Sequence, residues 1–415
     1  MTRAGNQRTL AQKDRYIFGL DLGTSKTCAL ACRRNEEGKL EVAGLGVAES
    51  RGWRKGLIVN LDSAGLAIKK AVDAAEAEAK VSFEWAYVGV GGAHLKGMNS
   101  RGALSLGNQP REVTLEDKIK VFQSAKNVSL PEYRELIDVI RQEYLLDSQN
   151  DIRDPLGMMG RTLEVNVHLI SVSTTAWQNI VTAANRSGIK VPDSGTVFEP
   201  LASAWACLGE DERELGVALV DIGGGSSELV VYFEGAVRHT AVIPVGGEHF
   251  TNDIAVGLRT PIPEAEKMKR LWGEGDPSQR GDAVIEVPSV GERPARITTY
   301  STLSEIIVPR ACELLELLQE ELARAGFLKQ LRAGVVLTGG GAKLGGMTAM
   351  AEQILGVPVR LGKPSGLEKM SEPLLDPAFA TVVGLVTYGH RLQMMRDSSD
   401  KGVMSKIWGA LRGKS

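Results

Sequence analysis

The sequence predicts an α/β fold of two similar halves, and three glycine-rich stretches carry that prediction. Residues 21–27 (DLGTSKT), 221–227 (DIGGGSS) and 339–341 (GGG) each follow a short apolar segment. The first two run into a second apolar, β-branched segment, which is the pattern of a β-hairpin and excludes a strand-to-helix phosphate loop. The third follows a buried-type strand at 334–338 and is expected to open a helix at 347–355.

The composition is that of an ordinary soluble protein without a strong electrostatic field. The 415 residues include 49 Lys and Arg against 51 Asp and Glu, a net charge of −2, so nothing calls for nucleic acid as a partner. The chain has no apolar run of about 18 residues and no apolar segment of a signal peptide near its first residue, so we expect it in the cytoplasm. Its four cysteines lack metal-type spacing.

Between the glycine-rich stretches, residue patterns predict the remaining elements. A meander continues to a strand at 40–48, and a covering helix at 62–80 is expected to be capped by Asp62. A separate insert at 85–169 is expected to hold a polar turn around Asn99 and Ser100, a helix at 115–125 and a half-buried strand at 163–172.

The two hairpin turns share a chemistry as well as a pattern. Glycine permits a close approach of the backbone, so successive N–H groups can bind phosphate oxygens. Each turn begins with an aspartate, Asp21 or Asp221, and a carboxylate there can hold the water shell of a Mg²⁺ ion. Taken singly, either turn also fits a tight hairpin in which glycine serves geometry alone. The pair predicts a nucleotide held between two similar domains.

The order of these motifs resembles the actin-like ATPase superfamily. That resemblance implies an actin-like ATPase fold, with two Rossmann-like (ribonuclease H-like) domains and ATP and Mg²⁺ in the cleft between them. A closer resemblance, to the bacterial cell-division family FtsA, rests on the insert. Its segments 89–94 (GVGGAH), 99–102 (NSRG), 144–147 (YLLD) and 154–160 (DPLGMMG) look like the inserted subdomain of that family.

The resemblance implies roles for individual residues. Glu199, in a Glu-Pro pair that opens a helix, would polarise the attacking water, although a carboxylate favoured by the helix dipole is the alternative. Glu266 and Lys269 would contact the adenosine, whereas a solvated ion pair is the alternative. The expected nucleotide-binding residues are Asp21, Gly23, Thr24, Ser25, Lys26, Asp221, Gly223, Gly224, Gly225, Ser226, Gly246, Gly247, Glu266, Lys269, Gly339, Gly340 and Gly341, and Asp21 and Asp221 would also hold Mg²⁺ through water.

The end of the chain predicts a membrane-binding helix. Its apolar residues recur at spacings of three and four, and the charged residues from Lys401 onward are all basic. A helix this short needs a surface, and the interface of an anionic membrane suits it, although docking on the protein's own body is the competing interpretation. The residues expected to meet the membrane are Val403, Met404, Lys406, Ile407, Trp408, Leu411 and Arg412.

The FtsA resemblance also implies partners and a location. The partners are the C-terminal tail of the tubulin homologue FtsZ, further copies of the chain in a filament, and later division proteins bound by the insert. Arg293 and Arg296 are candidate contacts for the acidic FtsZ tail. The implied location is the cytoplasmic face of the membrane at the division site, where the protein would be peripheral. ATP hydrolysis is expected to be weak at most.

The expected division of the chain follows from these assignments. The boundaries are 1–14 for a tail, 15–84 with 170–197 for subdomain 1A, 85–169 for the insert (1C), 198–245 with 302–395 for subdomain 2A, 246–301 for the FtsZ-binding subdomain 2B, 396–402 for a linker and 403–415 for the membrane helix. Two alternatives stay open at this point: an exopolyphosphatase, whose phosphate turn resembles residues 221–228, and a PilM-like pilus assembly protein, which has a similar insert.

Overall fold

The computed structural model describes residues 15–397 apart from 55, 193–194, 274–282 and 292. In this part of the chain, two five-stranded sheets form the cores of two halves, and a four-stranded sheet is inserted into the first half. None of the helices described is long and apolar enough to cross a membrane.

The first half begins with a three-stranded meander, a short hairpin and a covering helix. These elements are β1 (Tyr16–Leu22), β2 (Lys26–Arg34), β3 (Leu40–Glu49), β4 (Trp53–Arg54), β5 (Leu57–Ile58), α1 (Leu61–Ala79) and β6 (Tyr87–Val90). The hairpin expected around residues 21–27 is confirmed, because β1 and β2 pair antiparallel. The helix cap expected at Asp62 is wrong. Asn60 has extended backbone angles and accepts a hydrogen bond from the Ser63 N–H, whereas Asp62 already lies in the first turn.

The insert is an antiparallel sheet covered by one helix. Its elements are β7 (Leu95–Ser105), β8 (Arg111–Glu112), α2 (Leu115–Lys126), β9 (Arg134–Leu146), β10 (Gln149–Ile152), β11 (Met159–Gly160) and β12 (Thr162–Ser173), and the four-stranded sheet has the order β10-β9-β12-β7. The turn expected around Asn99 and Ser100 is wrong, because both lie within β7, which pairs with β12 along its whole length. Gly97 and Gly102 suggested a turn from the sequence. In the structure both are needed within the strand because neighbouring elements approach them too closely for a side chain.

The chain then returns to the first sheet and crosses to the second half. The crossing elements are α3 (Thr174–Arg186), β13 (Thr196–Phe198), α4 (Glu199–Cys207) and α5 (Glu210–Leu215). The second half holds β14 (Val217–Ile222), β15 (Ser227–Phe233), β16 (Ala236–Ile243), α6 (Gly247–Leu258), α7 (Ile262–Gly273), β17 (Val284–Val287), β18 (Arg296–Thr299), α8 (Tyr300–Arg324), β19 (Val335–Thr338), α9 (Met347–Leu355) and β20 (Val359–Leu361). The last helix, α10 (Ala380–Asp397), packs against β1, β2 and β6 of the first half and against α4.

Two details after β19 differ from the sequence-based expectation. The glycines at 339–341 do not open α9 directly, because a short 3₁₀ turn, Gly340–Lys343, comes first. Helix α10 runs through Asp397, so residues 396 and 397 are helical and do not belong to the expected linker. No glycine or proline interrupts residues 391–397, and the helix therefore has no local reason to end earlier.

The two five-stranded sheets have the same topology. The first has the order β13-β6-β1-β2-β3, and the second has the order β16-β15-β14-β19-β20. In each, three consecutive strands pair antiparallel, and two later strands add parallel beside the first of them. The hairpin turns β1-β2 and β14-β15 therefore occupy equivalent positions in the two halves.

The insert also touches the second half through a buried polar seam against β16. Within it, His168 Nε2 lies 2.8 Å from Thr240 Oγ1, and His168 Nδ1 lies 2.6 Å from Asn99 Oδ1. Gln142 donates to the Val237 carbonyl at 2.8 Å. Burial lowers the pKa of His168 to about 3, so this histidine is neutral at physiological pH. The insert therefore bridges the halves, covalently on one side and by hydrogen bonds on the other.

Candidate functional site

The two glycine-rich turns face each other across one cavity. A Cβ added to Gly224 would lie 3.2 Å from the Ser25 Cβ and 3.3 Å from the Ser25 nitrogen, so the turns almost touch. The empty space in the cavity and at its opening to solvent is about 460 Å³, and the lining includes Gly23 and Thr24 of the first turn and residues 223–226 of the second. The structure therefore brings together the two stretches that the sequence singled out.

The second turn is supported from behind by the start of α6. The Gly247 N–H donates to the Gly223 carbonyl at 2.9 Å, and the Glu248 N–H donates to the Gly224 carbonyl at 2.8 Å. A Cβ on Gly246 would lie 2.7 Å from the Ser226 nitrogen, so a side chain there would displace the turn. Gly246 and Gly247 thus hold the second turn in shape and do not line the cavity themselves.

At the first turn, Asp21 is paired with a lysine. The ammonium group of Lys26 lies 3.5 Å from Asp21 Oδ2, 3.5 Å from Cys28 Sγ and 4.6 Å from the centre of the Phe379 ring. Burial raises the pKa of Asp21 although Lys26 opposes that shift. Burial lowers the pKa of Lys26, but Cys28, Asp21 and Asp221 outweigh it and leave that pKa above its ordinary value. Lys26 therefore stays charged.

At the second turn, Asp221 is held by neutral hydroxyl groups. Ser203 Oγ on α4 donates to Asp221 Oδ2 at 2.6 Å, and Thr381 Oγ1 on α10 donates to the same oxygen at 3.1 Å. Burial raises the pKa of Asp221, and the negative charge of Asp21 adds to the shift. Gly339 lies so close to Asp221 Oδ1 that a side chain would overlap it, which brings the third glycine-rich stretch to the same carboxylate.

Two glutamates whose carboxyl groups both approach Gly91 complete the cavity wall. Glu199, the first residue of α4, lines the cavity, and burial raises its pKa, with further contributions from Glu228, Asp21 and Asp221. Glu228, in β15, accepts hydrogen bonds from the Gly92 N–H and from Ser226 Oγ. A side chain at Gly91 would overlap both carboxyl groups.

Glu228 is a site residue that the sequence reasoning missed. Its Oε2 is buried and has no hydrogen-bond partner within the described residues. Burial raises the pKa of Glu228 to about 8, and Asp221 adds to the shift. The available signal was a carboxylate at the start of an otherwise apolar strand, directly after the second turn.

Glu266 and Lys269 lie beside the first two turns of α6, outside the cavity. Their side chains form an ion pair at 2.6 Å. Lys269 also donates to the Gly247 carbonyl at 3.0 Å and to Thr251 Oγ1 at 2.9 Å. Both side chains are largely buried, so the pair is not freely solvated and instead fastens α7 to the helix that supports the second turn.

The remaining candidate residues lie elsewhere. The guanidinium group of Arg296 donates to the Leu258 carbonyl at the end of α6, and the exposed Arg293 precedes β18. Neither lines the cavity. The membrane candidates 403–412 lie outside the described residues.

The residues of the cavity fit a divalent cation held through water. Asp21, Glu199, Asp221 and Glu228 bring four carboxyl groups together with Lys26, and Glu228 Oε2 has no partner in the described part. Mg²⁺ prefers oxygen ligands, retains several waters and needs only one or two carboxylates. Within the described residues, no three side chains are placed to ligate a metal ion directly.

Comparisons with known proteins agree on one family. The family description "Cell division protein FtsA" matches residues 218–384, and "SHS2 domain inserted in FTSA" matches residues 92–171. FtsA of Pseudomonas aeruginosa is 41% identical over 400 residues, which cover 94% of this chain and 93% of that protein. FtsA of Neisseria meningitidis is 37% identical over 399 residues, with coverage of 96% and 95%.

Solved structures agree on the fold. A chain of the PilM-PilN type IV pilus biogenesis complex matches with a TM-score of 0.64 at 18% identity, covering 90% of this chain and 98% of that one. MreB5 of Spiroplasma citri bound to ADP matches with a TM-score of 0.54 at 13% identity, and the match covers 93% of this chain and 100% of that one. The expected actin-like ATPase fold with its insert is therefore confirmed.

Proposed function

The chain belongs to the FtsA family of cell-division proteins, and from this premise we propose that it binds ATP with Mg²⁺ between its two halves and links FtsZ filaments to the membrane. The observation that carries the nucleotide part is the carboxylate-lined cavity between two facing glycine-rich turns. Exopolyphosphatase and PilM functions are set aside, since the extensive sequence identity is to FtsA proteins.

The two turns would hold the phosphates, and the glycine-rich stretch 339–341 would accept the adenosine. The backbone of residues 23–25 and 223–226 is bare enough for close approach, because the turns consist mainly of glycine and small residues. Lys26 adds a positive charge beside Asp21. Glu266 and Lys269 would reach the adenosine from the base of α6. The solved relative MreB5 is described as bound to ADP, which supports a nucleotide in this fold.

Glu199 is the group we propose for polarising the attacking water. It lies in the cavity wall at the start of α4, and its carboxyl group, like that of Glu228, approaches Gly91. A bound Mg²⁺ would supply neutralisation of the phosphate charge. Burial raises the pKa of Glu199 and of Glu228, which is the direction in which proteins tune a carboxyl group that acts as a general base near neutral pH.

The proposed FtsZ-binding surface lies on α6, α7 and the β17-β18 ribbon. Within the described residues this region exposes several large apolar side chains, and Arg293 and Arg296 lie beside them. The exposed apolar residues are Val256, Ile262, Val284, Val290 and Ile297. Apolar side chains with neighbouring arginines suit a peptide that is itself apolar and acidic. The insert is proposed, in the same way, to contact neighbouring subunits and later division proteins.

Membrane attachment is proposed for residues 403–415. The sequence there places apolar residues on one helical stripe flanked by basic residues, and each basic residue near an anionic surface contributes about 1 kcal/mol. The protein would then act as a peripheral tether at the division site.

Sedimentation of the full chain with anionic liposomes, FtsZ and ATP tests the proposal. We expect the wild-type chain to carry FtsZ into the liposome pellet. Trp408→Glu or removal of residues 402–415 should abolish sedimentation and leave ATP binding intact, because a charge in the apolar stripe opposes insertion. Trp408→Phe is the matched control and should sediment. Unchanged sedimentation of Trp408→Glu would overturn the anchor, and absence of ATP binding by the wild-type chain would overturn the nucleotide assignment.

A further inference from the structure

The short hairpin β4-β5 sits over one end of the cavity. The N–H of Gly56, between the two strands, donates to Thr24 Oγ1 of the first turn at 3.3 Å. On its other side, a Cβ on Gly56 would lie 2.9 Å from the Cα of Gly92. The hairpin is therefore wedged between the first turn and the backbone that carries Gly91 and Gly92.

Trp53 of this hairpin lines the cavity and carries a buried donor. Its indole N–H is shielded from solvent and has no acceptor within the described residues. Tryptophan can only donate through that nitrogen, so no alternative proton arrangement satisfies it. A buried donor without an acceptor is costly, and in a native structure it points to an absent ligand atom, water or ion.

Glu228, which lines the same cavity, carries a second unpartnered atom. Glu228 Oε2 is an acceptor without a donor, and Trp53 Nε1 is a donor without an acceptor. A magnesium-bound phosphate satisfies both kinds of group, because its oxygens accept from N–H and its hydrated cation donates to carboxylates.

The position of Trp53 identifies which part of a nucleotide it would meet. The hairpin that carries Trp53 abuts Gly92, and a side chain on the adjacent Gly91 would overlap Glu199, the group proposed to polarise the water that attacks the terminal phosphate. Trp53 is therefore on the Glu199 side of the cavity, where a triphosphate would place its terminal group and a diphosphate has none.

We propose that the Trp53 indole N–H donates a hydrogen bond to the terminal phosphate of a bound nucleoside triphosphate and so distinguishes it from the diphosphate. This inference rests on the proposed nucleotide function and adds a specificity-determining residue to it. A hydrogen bond to an ionised oxygen is stronger than one between neutral groups, so a single indole suffices to shift the preference. The contacts of Gly56 with Thr24 and Gly92 hold the hairpin against the first turn.

Trp53→Phe tests the assignment because it removes the N–H and keeps an aromatic ring. Binding of ATP and of ADP, each with Mg²⁺, would be measured by calorimetry on the full chain. We expect the affinity for ATP to fall about tenfold, the equivalent of about 1.4 kcal/mol, and the affinity for ADP to stay unchanged. Trp53→Leu, also without a donor, should behave alike and serves if the first variant folds poorly.

Trp177→Phe is the matched control. The Trp177 indole donates to Thr196 Oγ1 at 3.2 Å outside the cavity, so this variant loses an indole hydrogen bond but should keep the ATP-to-ADP affinity ratio. An unchanged ratio in both Trp53 variants would overturn the inference and leave the proposed nucleotide function standing. Equal losses for ATP and ADP would also overturn it. A wild-type chain that binds neither nucleotide would overturn the inference and the proposed function together.

Discussion

The two hairpin turns are built alike, yet they manage charge differently. In the first hairpin Asp21 pairs across the strands with Cys28, and in the second Asp221 pairs with Glu228. Five positions after each aspartate stands Lys26 in the first turn and Ser226 in the second. The first turn therefore carries its own counter-charge, whereas the second carries two carboxyl groups and, within the described residues, no ion pair to either of them.

This difference teaches that the duplicated backbone would determine where a ligand lies. The side chains would determine how much positive charge the ligand has to supply. A phosphate bound at the first turn, as proposed, would meet a lysine already in position. At the second turn Asp221 depends on two hydroxyl groups, and Glu228 holds a proton more readily than in water. The proposed cation would therefore be needed on the second side more than on the first.

The largest effect is expected from removing the bare backbone that both turns share. Gly224→Val would force a branched side chain against Ser25, closing the gap between the turns. Overpacking of this kind costs about 1–3 kcal/mol, and the blocked cavity adds to it, so we expect ATP affinity to fall about 100-fold in a calorimetric measurement. Gly209→Val is the control, because a Cβ there meets only the Glu212 carboxyl group, at 3.7 Å. Normal ATP affinity in Gly224→Val would refute the role of the second turn.

A smaller effect is expected from making the first turn resemble the second. Lys26→Met removes the counter-charge and leaves Asp21, which is 6% exposed, without its ion pair. We expect the free energy of unfolding at pH 8 to fall by about 2 kcal/mol, between the values for exposed and fully buried pairs, in urea titrations. The loss should shrink at pH 5, where Asp21 can take up a proton. An equal loss at both pH values would contradict the electrostatic explanation.

The smallest effect is expected from neutralising the second turn. The pKa of Glu228 is about 8 in the folded chain and near 4.5 when unfolded, so between these values the folded state binds more protons. The contribution of Glu228 to stability therefore falls as pH rises from about 4.5 to 8. Glu228→Gln should remove that slope and be more stable than wild type at pH 8, since a neutral amide avoids the buried charge.

Thermal unfolding of the nucleotide-free chain from pH 5 to 8.5 measures this effect. Asp211→Asn, at an exposed position in the first turn of α5, provides a control that removes a carboxylate without touching the cavity. If Glu228→Gln and wild type lost stability in parallel as pH rises, the raised pKa of Glu228 would not be the cause of the slope.

Much of the fold could be predicted because its signals are local. Apolar segments on both sides of DLGTSKT and DIGGGSS indicate hairpins without any knowledge of distant contacts. The failures were of two kinds. Asn60 and Asp62 are both good cap residues two positions apart, and only the backbone angles distinguish them. Strand β7 was missed because Gly97 and Gly102, which suggest a turn, are required instead by close contacts with other elements.

The candidate site was predictable where backbone and charge coincide in one motif. Asp21 and Asp221 are the first residues of glycine-rich turns, so their position beside a phosphate-sized cavity could be inferred from the sequence. Glu228 and Trp53 could not be assigned in the same way, because each gains its meaning from residues of other elements. Glu228 meets Gly92 at a distance of 136 residues along the chain. Such roles depend on how the halves close, which no local pattern encodes.

Helix α10 gives the molecule a rod with two very different ends. Near its start, Thr381 donates to Asp221 in the cavity, and after Asp397 the chain continues into the segment proposed to bind the membrane. At 1.5 Å per residue, its 18 residues span about 27 Å. If the proposed anchor holds the chain to a membrane, a pull on it would act on the end of this helix, whose other end is bonded to Asp221 in the proposed nucleotide site.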